Sequence, residues 1–328
     1  VCMVMGDHPA TALAIARELG LAVDDTAVLT GDEFGTLDDR SRAARVRAAT
    51  VFARVEPLQK LDIVQALQQD GDIGVAMGRG GTDAARGAAD LIVADDNFAS
   101  IVAGVDEGSI AYDNIRKVIC HLIATNAAEI VLFVLAIGAG LPLPLTAVQL
   151  LWFNVATEGF QHIALAFEKG EPGVLRRQPR PPRQPIFDRR MISQTLLAGS
   201  YGGGMAFALF AVLLELGWTT GAASNALLLF LVLFENVQSF NCRSETRSAF
   251  RTPLRNNPLL VVGVALALAV HVGAMYAPGL RAILDIGPLS PAAWAAIVVL
   301  ALGTVAVMEV YKFVVRRKDR AVAPPPPA

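Results

Sequence analysis

Carboxylate and amide side chains recur inside long apolar stretches of this sequence. An aspartate at the centre of a membrane helix costs roughly 2.5–3.5 kcal/mol on insertion scales, so each such residue needs a partner or a function. Several of them are three or four residues apart and therefore share one helix face. The set consists of Asn126 with Glu129, Asn154 with Thr157 and Glu158, and Glu235 followed by Asn236.

These side chains offer oxygen ligands, which Ca²⁺ and other hard cations accept in place of water. Three carboxylates, each accompanied by an asparagine, predict an intramembrane cation site. The alternative is a set of hydrogen bonds between neutral side chains of neighbouring helices, or carboxyls that burial keeps protonated. The candidate ligands of such a cation are Asn126, Glu129, Asn154, Thr157, Glu158 and Glu235.

Other polar and small residues in these stretches admit a structural interpretation. His162 lies one turn beyond Glu158, where it could pair with that carboxylate, pass a proton or simply be a buried, hydrogen-bonded imidazole. His121, near the expected membrane boundary, and His271, in a stretch without a carboxylate, are interpreted as structural. The run Gly202–Gly204 predicts close packing of helices.

Outside the apolar stretches, two residues could act near a phosphate group. Asp7 follows the first apolar run and precedes a predicted helix, a position where phosphate and Mg²⁺ are often held. Lys60 lies at the start of another predicted helix. The glycines of GVAMGRGGTDAA, residues 74–85, could approach a phosphate or form an ordinary turn, and they lack the spacing of a dinucleotide fingerprint.

The elements that carry Asp7 and Lys60 alternate between strands and helices. This order predicts βαβ units in a Rossmann-like parallel layer. The first helix is expected to begin at Pro9 and to stop at Gly20. The predicted strands are residues 1–5, 26–30, 50–55, 73–77 and 91–95, and the predicted helices after the first are 38–48 and 57–68.

The rest of the chain predicts membrane helices. A long helix over 99–140 is polar at first and apolar from Val118, and six stretches have the length of about 20 residues that crosses a bilayer. They are 119–140, 144–167, 192–214, 222–240, 258–276 and 291–312. The chain is thus divided into a partial cytoplasmic domain (1–98), a stalk helix (99–118), six membrane helices (119–312) and a cytoplasmic tail (313–328) that ends in a proline-rich segment. From the positions at which lysine and arginine cluster, the positive-inside bias predicts that the N-terminal domain and the C-terminal tail both face the cytoplasm.

Composition supports a membrane protein. Of 328 residues, 54% are hydrophobic and 18% charged, and the mean hydropathy is +0.47, which argues against a fully soluble or disordered chain. Residues 1–110 carry 9 Lys and Arg against 18 Asp and Glu, although the net charge of the chain is only -2. Three cysteines without ligand spacing argue against disulfides and zinc. No nucleic-acid partner is expected, and the start at Val1 without a signal peptide indicates a fragment.

In order, these segments resemble the C-terminal part of the cation-transporting P-type ATPases, close to the calcium-pump branch. GDHPATALAIARELG is similar to the TGDxxxTA stretch of the family, VFARVEPLQKLDIVQAL to VxPxxK, YDNIRKVICHLIATNAAEI to the stalk and fifth membrane helix, and VQLLWFNVATEG to the sixth. The resemblance implies a partial HAD-type α/β phosphorylation domain followed by an all-α bundle of six transmembrane helices, equivalent to helices five to ten. It also implies that the six predicted ligands coordinate the transported ion.

The sequence departs from the family at several positions. Glu158 stands where the calcium pumps have aspartate, and Met5 replaces the threonine of the TGD triplet. The sequence contains no DKTGT motif, and TGDGxNDxP is missing between Gln69 and Asp72. The intact family uses ATP and Mg²⁺, but phosphoryl transfer depends on positioned groups. We therefore expect that this chain by itself binds neither productively and does not hydrolyse ATP.

The favoured interpretation is the C-terminal portion of an ATP-driven cation pump, integral to the plasma (inner) membrane. Ca²⁺ is the favoured ion, and Mn²⁺, Na⁺ and H⁺ are left open because oxygen ligands suit several hard cations. The alternative is a non-catalytic membrane remnant that binds cations or a partner. A secondary transporter with a soluble domain is a third option, which the close succession of family motifs disfavours.

Overall fold

The computed structural model describes residues 1–21, 27–80, 83–171, 173–176 and 185–322. The chain divides into two units, Val1–Asp106 and Glu107–Ala328, which are described separately below. Residues 177–184 of the predicted cytoplasmic loop and residues 323–328 of the proline-rich tail lie outside the described residues.

The first unit contains short strands alternating with helices. The strands are β1 (Met3–Val4), β2 (Val28–Thr30), β3 (Val51–Ala53), β4 (Val75–Met77) and β5 (Leu91–Val93), and the helices are α1 (Pro9–Glu18), α2 (Gly31–Thr36), α3 (Asp39–Ala48), α4 (Pro57–Gln69) and α5 (Asp83–Ala88). Each predicted strand and helix has its counterpart, although every strand is shorter than predicted. Gly20 follows α1 with φ of +70°, as the predicted stop requires.

Helix α2 was not predicted, although the sequence contains its start signal. Thr30 accepts a hydrogen bond from the backbone N–H of Glu33, and the Glu33 carboxylate accepts one from the backbone N–H of Thr30. This reciprocal pair is a capping box, which the spacing T-x-x-E encodes. Helix α5 was likewise missed, because its six residues lie among glycines that favoured a turn.

The prediction of one Rossmann-like sheet is wrong for the described residues, whose strands form two parallel sheets. One has the order β1-β3-β2, and the other pairs β4 with β5. Helix α4 ends in a Schellman turn, in which Gly71 N–H donates to Gln68 O (2.9 Å) and Asp72 N–H donates to Leu67 O (3.2 Å). Gly71 takes a φ of +96° there, and the chain enters β4 within a few residues, too few for a further strand.

Strand β3 is the centre of the three-stranded sheet. It is fully buried, and its side chains alternate between two faces. Val51 and Ala53 pack in a cluster with Ala12 and Ala16 of α1, whereas Phe52 packs in a second cluster that includes Ile63 of α4. This arrangement places helices on both faces of the sheet, as βαβ units require.

The remaining described helices are long and mostly apolar. They are α6 (Phe98–Gly138), α7 (Ala147–Trp152), α8 (Glu158–Ala166), α9 (Arg189–Glu215), α10 (Thr220–Cys242), α11 (Pro258–Tyr276), α12 (Pro278–Leu284) and α13 (Pro291–Val322). Among the described residues, five helices are long and apolar enough to cross a membrane: α6, α9, α10, α11 and α13.

The second of the six predicted spans, 144–167, is not one continuous α-helix. It consists of α7, a π-helical turn over Phe153–Thr157, and α8, which follow one another without a gap. Neither α-helical piece alone has the length of a span, but the three pieces run without a gap over residues 147–166. The second predicted span is thus a helix interrupted by a π turn, and the six predicted spans stay a prediction. A π turn adds a residue to one helical turn, which rotates the faces before and after it by about 100°.

Helix α10 is the most buried of the five and contacts α9, α11 and α13. Two glycines of α9 permit close approach. A Cβ at Gly203 would lie 2.5 Å from the carbonyl oxygen of Ala128, and one at Gly202 would collide with the ring of Phe234, whereas one at Gly204 would meet no atom within 4 Å. The predicted packing role therefore holds for two glycines of the run and not for the third.

A buried ion pair joins the ends of α8 and α10. Arg243 donates to both carboxylate oxygens of Glu168, at 2.8 and 3.0 Å, and to the carbonyl oxygens of Thr252 and Pro253. The amide of Asn257, the cap of α11, donates to the same carboxylate at 2.9 Å. These bonds connect the end of α8, the end of α10 and the start of α11 at one place.

Candidate cation site

Glu129 and Asn154, two of the predicted ligands, are in direct contact. The side-chain amide of Asn154 donates to Glu129 Oε1 at 3.1 Å and to the carbonyl oxygen of Leu150 at 3.0 Å. Glu129 belongs to α6, and Asn154 belongs to the π turn between α7 and α8. Both residues are half-buried. The contact brings a carboxylate and an amide from separate helices to one place.

The π turn positions the predicted ligands of the second segment. The backbone N–H of Glu158 donates to the carbonyl oxygen of Phe153, five residues earlier, so Asn154 lies inside the wide turn and Glu158 directly after it. π turns inside α-helices are rare and often mark functional sites. The side chain of Thr157, also a predicted ligand, lies outside the described part of the chain.

Glu158 is almost fully buried, with 2% of its surface exposed. Its Oε1 accepts a hydrogen bond from the hydroxyl of Thr125 on α6. Two imidazoles lie close to the same oxygen, with His162 Nε2 at 3.4 Å and His121 Nδ1 at 3.9 Å. The carboxylate is therefore surrounded by side chains of α6 and α8.

Helix α10 reaches the same region with Glu235 and Asn236. The backbone oxygen of Glu235 lies 3.2 Å from His121 Nε2, and its side chain is completely buried. The amide of Gln161 on α8 donates to the side-chain oxygen of Asn236. Asn126 differs from the other predicted ligands, because its amide donates to the carbonyl oxygen of Leu122, one turn earlier in its own helix, at 2.7 Å.

The sequence contains signals for three residues that the prediction did not place at the site. His121 and Thr125 precede Glu129 by eight and four residues, a spacing that puts all three on one face of α6. His121 was interpreted as structural because it lies near the expected membrane boundary. Gln161 lies three residues after Glu158 on α8 and was not singled out.

The arrangement favours a positively charged occupant. Glu129, Glu158 and Glu235 bring three carboxylates into helices that the bilayer would surround, and burying ionised carboxylates costs free energy unless a cation or proton compensates them. Their oxygens and the Asn154 amide are ligands that hard cations accept. Hydrogen bonds connect α6 with the segment that carries Asn154 and Glu158, and His121 of α6 lies against the backbone oxygen of Glu235 on α10.

In the first unit, the structure places Asp7 and Lys60 at the same edge of the three-stranded sheet. Asp7 follows β1, and Lys60 lies in the first turn of α4, after β3. Since β1 and β3 are parallel neighbours, both residues follow the carboxyl ends of their strands. The loops touch through Arg54 N–H, which donates to the carbonyl oxygen of Asp7 at 3.0 Å. Met5 packs against the core beside them and offers no hydroxyl.

The glycine-containing loop after β4 binds a carboxylate of its own chain. The backbone N–H groups of Arg79 and Gly80 each donate to Asp96 at 2.9 Å. These bonds hold the pKa of the Asp96 carboxyl below its usual range, the bond from Arg79 contributing most. Two N–H groups that a phosphate would need are thus already used, which favours the turn over a phosphate cradle. The residues described around Asp7 and Lys60 do not fit a complete site for ATP and Mg²⁺.

Comparison with known proteins agrees with the membrane helices. The family model described as "Cation transporting ATPase, C-terminus" matches residues 142–314. The "Probable cation-transporting ATPase F" of Mycobacterium tuberculosis is 38% identical over 325 residues, covering 92% of this chain and 36% of that protein. The "Calcium-transporting ATPase" of Bacillus subtilis is 34% identical over 313 residues, covering 89% of this chain and 35% of that protein.

A eukaryotic protein is similar over the same region. The "Endoplasmic reticulum calcium ATPase srcA" of Aspergillus fumigatus is 31% identical over 371 residues, covering 97% of this chain and 38% of that protein. The chain thus spans little more than a third of the length of these relatives. Together with the membrane-capable helices, these matches show that the chain belongs to the cation-transporting P-type ATPases, corresponding to the C-terminal region of calcium-pump-like members.

Proposed function

We propose that this chain provides part of the intramembrane cation site of an ATP-driven pump, with Ca²⁺ as the favoured ion. The observation that carries the proposal is the contact between Glu129 and Asn154 at the π turn, one helical turn before the buried Glu158. The names of the relatives, which include calcium-transporting ATPases, support the choice of ion. The proposed ligands are Asn126, Glu129, Asn154, Thr157, Glu158 and Glu235.

The proposal is tested by titrating Ca²⁺ into the purified chain in detergent and following the heat of binding. Glu129→Gln keeps the shape of the side chain and removes its charge, and should weaken Ca²⁺ binding at least about tenfold, or 1.4 kcal/mol. Glu215→Gln, which changes an exposed carboxylate at the end of α9, is the matched control and should bind as the unchanged chain does. Equal affinities for the unchanged chain and Glu129→Gln would refute the proposal. Competition by Mn²⁺ and Na⁺ would rank the ions.

We further infer that the two ends of the membrane part face the cytoplasm of a cell whose plasma (inner) membrane holds the protein. Basic residues at 116–117, 243–255 and 312–320 support this orientation through the positive-inside bias. In this arrangement residues 1–98 form a cytoplasmic domain and 99–118 a stalk. Labelling of single cysteines at positions 217 and 247 with a membrane-impermeant reagent on intact cells tests it, since only position 217 should react.

A second candidate function is a membrane module that binds cations without hydrolysing ATP. It is supported by the short turn at Gly71, by the two separate sheets and by Met5, which packs into the core. The test is incubation of the 328-residue chain with radiolabelled ATP, which should leave it unlabelled while Ca²⁺ binding persists. Acid-stable labelling of the chain would exclude this candidate.

A further inference from the structure

Two histidines and one glutamate form a cluster of possible metal ligands between α6 and α8. His162 Nε2 and His121 Nδ1 lie 3.4 and 3.9 Å from Glu158 Oε1. The ligand atoms of the three residues all lie within 4.8 Å of one another. The imidazole rings are 5.2 Å apart and nearly perpendicular, so neither ring stacks over the other.

The hydrogen bond of His121 determines which ring nitrogen carries the proton and which presents a lone pair to Glu158. Its Nε2 lies 3.2 Å from the backbone oxygen of Glu235, which can only accept a hydrogen bond. Nε2 therefore carries the proton, and Nδ1 of the neutral ring presents a lone pair to Glu158. A backbone carbonyl bound to the far nitrogen is also the usual support of a metal-binding histidine.

The facing nitrogens are buried without a hydrogen-bond partner in the described part of the chain. This holds for His121 Nδ1 and for His162 Nε2. His121 is 0% exposed, so bulk water does not reach its lone pair. A lone pair on nitrogen and an ionised carboxylate oxygen repel one another at this distance unless a proton or a cation lies between them. A cation between the three ligand atoms would satisfy both nitrogens and the carboxylate.

The ligand set selects a class of cation. Two imidazoles and a carboxylate suit transition-metal ions, whereas Ca²⁺ and Mg²⁺ prefer oxygen ligands alone. Around a tetrahedral zinc ion with bonds of about 2.0–2.1 Å, neighbouring ligand atoms lie about 3.3 Å apart. The pair formed by His162 Nε2 and Glu158 Oε1 already has this spacing, and His121 Nδ1 needs to approach Glu158 Oε1 by about half an ångström.

We propose that His121, Glu158 and His162 bind a divalent transition-metal ion of the Zn²⁺ class, with one coordination position left for water or a further ligand. This site differs in chemistry from the oxygen site at Glu129 and Asn154. His121 and Glu129 are eight residues apart on α6, or about 12 Å along the helix axis. Glu158 is a proposed ligand of both sites, so an ion bound at one site takes a carboxylate ligand from the other.

The test uses Co²⁺, whose visible absorption is intense in tetrahedral nitrogen-containing sites and weak in octahedral oxygen sites. The purified 328-residue chain in detergent is freed of metal by a chelator and titrated with Co²⁺. We expect an intense spectrum that saturates at one ion per chain and is abolished by Zn²⁺. A wild-type chain that shows only the weak octahedral spectrum at saturating Co²⁺ overturns the proposal before any variant is made.

Substitutions identify the residues that bind the Co²⁺ ion responsible for the spectrum. His121→Gln and His162→Gln should each weaken Co²⁺ binding at least about tenfold, the scale seen even for groups that merely support metal ligands. His271→Gln is the matched control, since His271 is also 0% exposed but contacts Trp152 instead of Glu158. A spectrum that survives both cluster variants, or that His271→Gln removes equally, overturns the proposal. Circular dichroism and gel filtration of each variant separate ligand loss from misfolding.

One further variant keeps this proposal distinguishable from the proposed oxygen site. Glu129→Gln should weaken Ca²⁺ binding and preserve the intense Co²⁺ spectrum. Loss of the Co²⁺ spectrum in Glu129→Gln together with its survival in both histidine variants would place the metal at the oxygen ligands and overturn the histidine site. If Glu129→Gln binds Ca²⁺ as the unchanged chain does, while the histidine variants lose the Co²⁺ spectrum, the oxygen site is refuted and the histidine site is supported.

Discussion

Arg243 and Glu168 form a two-pronged ion pair, at 2.8 and 3.0 Å, in which both side chains are almost completely buried. Because Arg243 also donates to two carbonyl oxygens, its remaining N–H groups are partly satisfied as well. A buried pair of this kind adds little stability compared with apolar residues, but removing one partner leaves an uncompensated charge. The pair therefore makes the junction of α8, α10 and α11 sensitive to single substitutions.

Glu168→Gln should destabilise the second unit by about 3–5 kcal/mol, because the guanidinium of Arg243 stays buried without a counter-charge. The measurement is the thermal unfolding midpoint of the purified chain in detergent. Glu215→Gln, on the exposed end of α9, removes the same charge and should shift the midpoint little. Similar midpoints for the two variants would contradict the importance assigned to burial.

Gly203→Ala should separate α9 from α6, since the added methyl group would lie 2.5 Å from the backbone oxygen of Ala128. Overpacking of this kind costs about 1–3 kcal/mol. Gly204→Ala adds the same methyl group one residue later, where no atom lies within 4 Å, and should be neutral or slightly stabilising because alanine favours helix. Comparison of the two unfolding midpoints checks the prediction, and a more stable Gly203→Ala would refute it.

Asn154→Ala should weaken Ca²⁺ binding about tenfold, because it removes both the hydrogen bond that holds Glu129 and an amide oxygen offered to the ion. The measurement is the titration described for Glu129→Gln. Asn225→Ala is a matched control, since Asn225 is a buried asparagine of α10 whose amide donates to the carbonyl oxygen of Gly287, away from the site. If the two asparagine variants bind Ca²⁺ equally well, the role assigned to Asn154 is incorrect.

The loop held by Asp96 should loosen in acid. The pKa of this carboxyl is lower in the folded chain than in the unfolded one, so its contribution is fully present above the unfolded value and is lost as pH falls through the folded value. Amide exchange of Arg79 and Gly80 should therefore rise, relative to the intrinsic rate, as the solution is acidified.

Asp96→Asn should make these two amides exchange faster at neutral pH and should flatten the pH dependence. Asp62→Asn, on the exposed face of α4, should leave their exchange unchanged. The same steep pH dependence in the chain with Asp96→Asn would show that another group controls the loop.

Local features of the fold follow from the sequence because neighbouring residues determine them. The stop of α1 at Gly20 and the start of α2 at Thr30 and Glu33 depend on contacts within four residues. The pairing of strands is different. Whether β4 joins β3 depends on residues far apart in the chain, which local sequence patterns do not reveal.

The candidate site, too, has features that the sequence predicts and features that it does not. Helical spacing predicted that Asn154 and Glu158 belong together, but spacing within one helix does not tell which face of another helix it meets. The contacts of Glu158 with His121 and Thr125 cross from α8 to α6, and the π turn that rotates α8 has no recognised sequence signal. The sequence therefore predicted that both histidines of the cluster lie in helices, but it did not predict that they lie next to one another.

The division of the first unit into two sheets multiplies its exposed strand edges. A single five-stranded sheet has two edges, whereas the described arrangement has four, contributed by β1, β2, β4 and β5. The smaller sheet also exposes apolar side chains, with Val75, Leu91 and Ile92 at 42%, 46% and 48%. Unpaired edges beside exposed apolar residues recruit further strands from other chains. Expression of this unit by itself would therefore favour aggregation, and its solubility depends on whatever strand or surface covers those edges.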